Sequence, residues 1–215
     1  MTYLKLVQHY ESCFKKYGNC AKGVDWPNTE DLQTRFDVMT TAFINFPRPL
    51  HLLDLGCGPG LYYAYLKEKG YLKQGIFYTG IDLSAPMIKM AQALYPRVRF
   101  KTQDILKKPL LSNDYDFVVM NGVLTIKNDL SYRHMRDFAE KLISSAFQTA
   151  RLGICFNVMN PYVDWCRLDL FHWDLDDLIP FVKSHLSNHY AMHANYGLHE
   201  FMIEVYHSPL FKNSR

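Results

Sequence analysis

The sequence predicts an α/β fold: a doubly wound sheet of seven strands, mostly parallel, that ends in an antiparallel hairpin. Three observations carry this. An apolar run, His51 to Leu55, enters a glycine-rich turn, Gly56-Cys57-Gly58-Pro59-Gly60, and then a helical pattern, which reads as a buried parallel strand, its loop and the next helix. Further β-rich runs follow at Ile76–Asp82, Val98–Thr102, Tyr115–Asn121 and Arg151–Val158, with helical patterns interspersed. Two alternating runs, His189–Asn195 and Glu200–Tyr206, are joined by Tyr196-Gly197-Leu198-His199, a hairpin signature.

The elements follow in order. Tyr3, Leu6, Val7, Tyr10 and Phe14 recur at helical spacing, so the chain begins with an amphipathic helix. Gly18 to Asn28 reads as a loop, and a second helix starts near Thr29, capped by Asn28 or Thr29, and runs to about Phe43. Pro47 and Pro49 close this preface, giving a helical segment at 1–49, a core at 50–207 and a loose tail at 208–215. Ser84 caps a helix from Met87 to Leu94, with Pro86 tolerated in its first turn. A long helix spans Ser131 to about Ala150, with Tyr132, Met135, Phe138, Leu142 and Phe147 facing the core. Met159 to Trp173 is irregular, and another helix runs near Leu175 to His185.

Composition narrows the class. A chain of 215 residues that is 48% hydrophobic suits one domain with a sizeable core. The net charge of +3 comes from 24 basic and 21 acidic residues that are well mixed, so no basic block announces nucleic acid. Five cysteines (13, 20, 57, 155 and 166) form no C-x-x-C pair, which points away from a disulfide frame or zinc site and towards a reducing, cytoplasmic setting. Neither a signal peptide nor a run of 18 apolar residues is present, so a membrane span is not expected.

The glycine spacing selects the ligand. Glycines let a ligand approach the main chain, and the following helix start favours an anionic group. A dinucleotide loop is G-x-G-x-x-G, whereas Asp54, Gly56, Gly58 and Gly60 give D-x-G-x-G-x-G. With Asp82 ending the second strand, Gln103-Asp104-Ile105 after the third and Asn121-Gly122 after the fourth, the chain resembles the class I S-adenosylmethionine-dependent methyltransferases over nearly its whole length. The resemblance implies a Rossmann-like sheet, S-adenosyl-L-methionine as cofactor and S-adenosyl-L-homocysteine as product. It assigns Asp54, Gly56, Cys57, Gly58, Gly60, Asp82, Leu83, Met87, Gln103, Asp104, Ile105, Asn121 and Gly122 to the cofactor. Asp82 has two readings, ribose acceptor and helix cap. The segment 1–49 would form a lid, with Tyr10, Trp26 and Arg35 as candidates to cover the ligand or bind the acceptor.

A sulfonium methyl is already activated, so the enzyme's work is alignment, exclusion of water and, for a hydroxyl nucleophile, removal of a proton. Asn121 and Asn157, at the ends of strands, are the best-placed polar groups, and Trp165, Arg167, Asp169, His172 and Trp173 fill the irregular segment. His172 is the first candidate base, with His134 and His199 as alternatives. Asn160-Pro161-Tyr162 follows the fifth strand rather than the fourth, and no Pro-Cys nucleophile is present, which lowers the prospect of nucleic-acid methylation. The expected activity is methyl transfer (EC 2.1.1.-) to oxygen or nitrogen of a small molecule, a sugar or other intermediate by analogy with compact enzymes, in a monomer or homodimer. The alternatives are a protein or tRNA acceptor and a silent cofactor-binding subunit, with hydride transfer last.

Overall fold

The computed structural model describes residues 3–165 and 167–210. The helices are α1 (Leu4–Tyr17), α2 (Thr29–Thr41), α3 (Leu61–Glu68), α4 (Ala85–Leu94), α5 (Tyr132–Thr149) and α6 (Leu175–Phe181). The strands are β1 (Leu50–Leu55), β2 (Ile76–Asp82), β3 (Arg99–Thr102), β4 (Tyr115–Met120), β5 (Ala150–Met159), β6 (His189–His193) and β7 (Glu200–Tyr206). They form one sheet in the order β3-β2-β1-β4-β5-β7-β6. The first five run parallel, and β7 pairs antiparallel with both β5 and β6. This is the expected doubly wound sheet with its terminal hairpin.

Period-two alternation splits the core into two layers. Leu53, Leu55, Val118, Met120, Ile154, Phe156 and Val158 face α5 and α6, whereas Leu50, Leu52, Phe117, Val119 and Cys155 face α2 and α3. Runs that are apolar at nearly every position therefore bury both faces, as β4, apolar but for Asp116, does along its whole length. At Gly153 β5 leaves no room for a side chain against β7, since an added Cβ would lie 2.4 Å from the carbonyl oxygen of Val205.

Caps set the helix starts. Asn28 accepts from the backbone N–H of Asp31, Ser84 from that of Met87 and Ser131 from that of His134. The second helix ends two residues before Phe43, which is itself completely buried. The helix after the irregular segment is shorter than its pattern implies. Pro180 lies inside α6, and the chain continues as a wider π turn over Val182–Leu186. Of the tail at 208–215, residues 211–215 fall outside the described residues, as does Cys166. The other four cysteines are free.

Trp173 belongs to the core. It is completely buried, stacks on Phe181 and packs on Phe171, and its indole N–H has no partner. Its contribution is therefore packing. Trp173→Ala is expected to cost about 3–5 kcal/mol of unfolding free energy. Urea denaturation of the two proteins measures this, and a loss below about 1 kcal/mol would show that the layer closes over the cavity.

Candidate active site

The order of the strands reverses between β1 and β4, since β1 leads outward to β2 while β4 leads the other way to β5. Side chains and backbone beyond such a switch point diverge and leave a crevice. Here the crevice encloses about 1120 Å³, its open mouth included, and the loops after β1, β2, β3 and β4 form its floor. Asp54, Gly56, Cys57, Gly58, Asp82, Leu83, Met87, Gln103, Asp104, Ile105, Asn121 and Gly122 all line it. Gly60 does not. It has φ +87°, starts α3, and packs so closely on Phe100 that a Cβ would come within 3.1 Å of that ring.

The glycine loop is held from β2. Gly56 and Cys57 donate backbone N–H groups to the carbonyl of Ile81 at 2.7 and 3.2 Å. Gly58 donates to Asp82 Oδ2 at 2.8 Å, and Ser84 donates to Asp82 Oδ1 at 2.7 Å. Asp82 thus joins the loop to the turn before α4 while Ser84 makes the cap. Each carboxylate oxygen keeps acceptor capacity towards the crevice. Gly56 has φ +85°, and a Cβ there would lie 2.2 Å from Val123 Cγ2. That position requires glycine on two counts.

Three carboxylates and a few uncharged polar groups surround a mainly apolar crevice. Asp54 is 2% exposed and accepts from Tyr78 Oη at 2.5 Å. Burial raises its pKa from 3.8 to about 7, against the lowering effect of the tyrosine, and Asp82 raises it further. Burial raises Asp82 as well, opposed by its backbone donors. Asp104 accepts from Tyr3 Oη at 2.7 Å and from the N–H of Leu106 at 3.1 Å. Asn121 Oδ1 is buried without a hydrogen-bond partner. Among the described residues, no lysine, arginine or histidine lines this crevice. The Cys57 thiol is pushed well up by burial, so it is a small apolar wall rather than a nucleophile.

The N-terminal helices cover the opening. Tyr3 just before α1, Leu6, Val7 and Tyr10 of α1, Val24 and Trp26 of the loop, and Leu32 and Phe36 of α2 add to the wall. Tyr10 Oη donates to the Gly122 carbonyl at 2.9 Å, and Trp26 packs so tightly that a Cβ on Gly122 would lie 2.8 Å from its ring. Of these residues, only Tyr10 and Trp26 were singled out from the sequence. Tyr3, Leu6 and Val7 read as ordinary amphipathic spacing, and Val24 as part of a loop.

A second cavity adjoins the first and shares Tyr10, Val24 and Trp26 with it. Arg35, Trp165, Arg167 and His199 line it, with Asp25, Asp31, Thr125 and Ile126. Arg35 is 7% exposed, lies 3.6 Å over the Trp26 ring, and pairs with Glu200 at 3.0 Å. Asn157 lines neither cavity. Its Oδ1 accepts from the Gly122 N–H at 2.7 Å and its Nδ2 donates to Glu200 at 3.1 Å, so it positions the turn after β4 from behind. His172 is likewise set back, with Nδ1 2.7 Å from the Asn160 carbonyl and its ring edge-on to Trp165. Arg167 pairs with Asp169. His134 is exposed beside Ser131 at the start of α5.

Residues 52–145 match the family model described as a methyltransferase domain. The matched stretch runs from β1 into α5, and over it the chain is similar to that domain. It is 28% identical over 167 residues to Rv1506c of Mycobacterium tuberculosis, a protein with a provisional methyltransferase name, covering 75% of this chain and 96% of that one. It is 30% identical over 114 residues to the malonyl-[acyl-carrier protein] O-methyltransferase of Pseudescherichia vulneris, covering 53% of this chain and 43% of that one. Its fold is similar to that of the magnesium protoporphyrin IX methyltransferase of Synechocystis PCC 6803, solved with bound S-adenosylhomocysteine. The TM-score is 0.65 at 18% identity, with 95% and 100% of the two chains covered. No helix among the described residues is long and apolar enough to cross a membrane.

The buried acid makes a pH signature. Asp54 has a pKa of about 7 when folded, against the ordinary carboxyl value of 3.8. Between those values the folded state binds the extra proton, so this group's contribution to stability is greatest below about pH 3.8 and is lost as pH rises to about 7. The slope reaches at most about 1.4 kcal/mol per pH unit. Asp54→Asn is expected to flatten the decline between pH 5 and 7. Equal slopes in denaturant titrations of the two proteins would contradict the raised pKa.

Proposed function

We propose that this protein is a methyltransferase that holds S-adenosylmethionine in the first cavity and transfers its methyl group to a small acceptor in the second. One observation carries the reading: three carboxylates and no basic side chain line a cleft whose floor is a glycine turn. A pyrophosphate would meet repulsion there, whereas a ligand with an ammonium group and a sulfonium centre finds compensating charge. The residues fit that ligand class. Asp82 has spare acceptor sites for ribose hydroxyls, Asp54 offers negative charge to the ammonium group once that neighbouring cation has displaced its proton, and Ile105, Leu106, Phe138 and Leu142 offer apolar walls for a purine. The unpartnered Asn121 Oδ1 is a buried acceptor awaiting a donor.

The bound cofactor supplies an activated methyl group, and the chain supplies alignment, dryness and proton handling. The lid residues Tyr10 and Trp26 wall both cavities, which keeps water away from the place where they meet. Aromatic walls from Tyr10, Trp26 and Trp165 with a few directed polar groups suit a small ring-bearing or polar acceptor. His199 lines the second cavity and has Trp165 edge-on at 5.4 Å, so it replaces the recessed His172 as candidate base. For an amine acceptor that reaches the site uncharged, a hydrogen-bond acceptor would suffice.

Incubation with methyl-labelled S-adenosylmethionine and a size-fractionated cell extract tests the reading. Label in the small-molecule fraction is expected, and label confined to protein or RNA would overturn the acceptor class. If cofactor binds and no fraction takes up label, the chain is a silent binding subunit.

His199→Ala should lower turnover roughly 10²–10⁴-fold if the acceptor is a hydroxyl and His199 takes its proton. His172→Ala should alter it far less, and neither should change cofactor affinity by calorimetry. The reverse ranking would return the base to His172 and place the acceptor beyond Trp165. Loss of cofactor affinity in both would merge the two cavities into one site.

A further inference from the structure

We propose that His9, Cys13 and Asp25 form a binding site for a divalent transition-metal ion of the zinc class, which clasps α1 to the loop that follows it. His9 and Cys13 are four residues apart on α1 and so share one helix face. Asp25 reaches them from the end of a short 3₁₀ turn, Ala21–Val24, where it adopts φ +62° with its own N–H bonded back to that turn. His9 Nε2 lies 2.7 Å from Asp25 Oδ2 and 3.9 Å from Cys13 Sγ, and the three donor atoms all fall within 4.8 Å of one another.

These spacings are close to what a metal needs. With bonds of about 2.0–2.1 Å to nitrogen and oxygen and about 2.3 Å to sulfur, tetrahedral ligand atoms stand roughly 3.3–3.6 Å apart. The nitrogen–oxygen edge must open by roughly 0.6 Å and the nitrogen–sulfur edge close by roughly 0.4 Å, shifts within rotamer adjustment. His9 and Asp25 side chains are 31% and 32% exposed, so an ion has a route in and water can take the fourth position. A borderline-soft N, S and O donor set favours zinc, cobalt or nickel over magnesium or calcium.

The charges balance. Without a metal, burial and then the Asp25 carboxylate hold the Cys13 thiol in its protonated form. As the sulfur–metal bond forms, the thiol proton leaves to solvent, and the His9 ring proton moves to Nδ1 so that Nε2 can bind. Thiolate and carboxylate then offset the dication. Lys16 acts on Cys13 and Arg167 on Asp25 as nearby cations, and the Asp169 carboxylate faces His9 as a further anion. The consequence is mechanical, because the clasped loop carries Val24 and Trp26, which wall both cavities.

The whole protein, stripped with a chelator, is titrated with cobalt(II) and then zinc. One equivalent of cobalt should give intense visible bands of tetrahedral coordination and a near-ultraviolet thiolate-to-metal band, and zinc should displace both. Cys13→Ser should remove the near-ultraviolet band, while His9→Ala and Asp25→Asn weaken zinc roughly tenfold or more. Far-ultraviolet circular dichroism of the metal-free variants checks that they fold, and Cys20→Ser should leave the spectrum unchanged. The proposal fails if stoichiometric binding is absent, if Cys13→Ser keeps the thiolate band, or if Cys20→Ser removes it. In each of those cases the cluster is a histidine–aspartate hydrogen bond with a cysteine alongside.

Discussion

The Asp82 carboxylate joins the parts of the site that the chain supplies separately. One oxygen accepts from Gly58 in the loop after β1, and the other from Ser84 in the turn before α4. Carboxylate oxygens that accept backbone N–H groups are charge-assisted and directional, so two strands' worth of loop are fixed by one side chain. Its burial disfavours the charge that makes those bonds strong, and the backbone donors counter this. The glycine turn depends on that anchor. Gly58 stands between Val24 of the lid loop and Met87 of α4, within van der Waals reach of both for any added Cβ.

The same economy explains the negative crevice. Asp54, Asp82 and Asp104 lie around one mainly apolar space that no basic side chain lines, although Lys107 pairs with Asp104 at 3.6 Å from outside it. Their repulsion is held down by hydrogen bonds from Tyr78, Tyr3 and backbone groups and by the proton that Asp54 retains. Such a cluster destabilises the empty protein and is relieved by a cationic ligand, so electrostatic cost in the fold becomes selectivity in binding. The second cavity mixes signs and pairs its arginines with Glu200 and Asp169, so it offers shape and hydrogen bonding rather than net charge.

The fold was legible because backbone requirements leave marks on short stretches. β2 spans Ile76–Asp82 as its β-rich run indicates, and α4 and α5 start at Ser84 and Ser131 because those hydroxyls accept from the backbone. The irregular stretch 159–173 was harder to read. Polarity and aromatic content could not separate Trp173, which is core, from Trp165, which lines a cavity. Asn157 looked like a pocket group because strand ends usually supply one. Its neighbours across the sheet, Gly122 and Glu200, lie 35 and 43 residues away in sequence, and that pairing is invisible to local pattern.

The lid shows where legibility ends and why. Tyr3, Leu6, Val7 and Tyr10 announced an amphipathic helix, but amphipathicity does not say what the apolar face covers. Here that face closes a cavity as well as a core. Tyr10 is fixed to Gly122 and Tyr3 to Asp104, so α1 is fastened at its N-terminus and its middle to the loops that shape the first crevice. Trp26 is held in turn by Arg35, whose charge is balanced by Glu200 on β7. A chain of contacts thus runs from the terminal hairpin through α2 to the lid loop and on to the turn after β4. Any displacement of Trp26 must reshape both cavities together, because the same ring walls each of them.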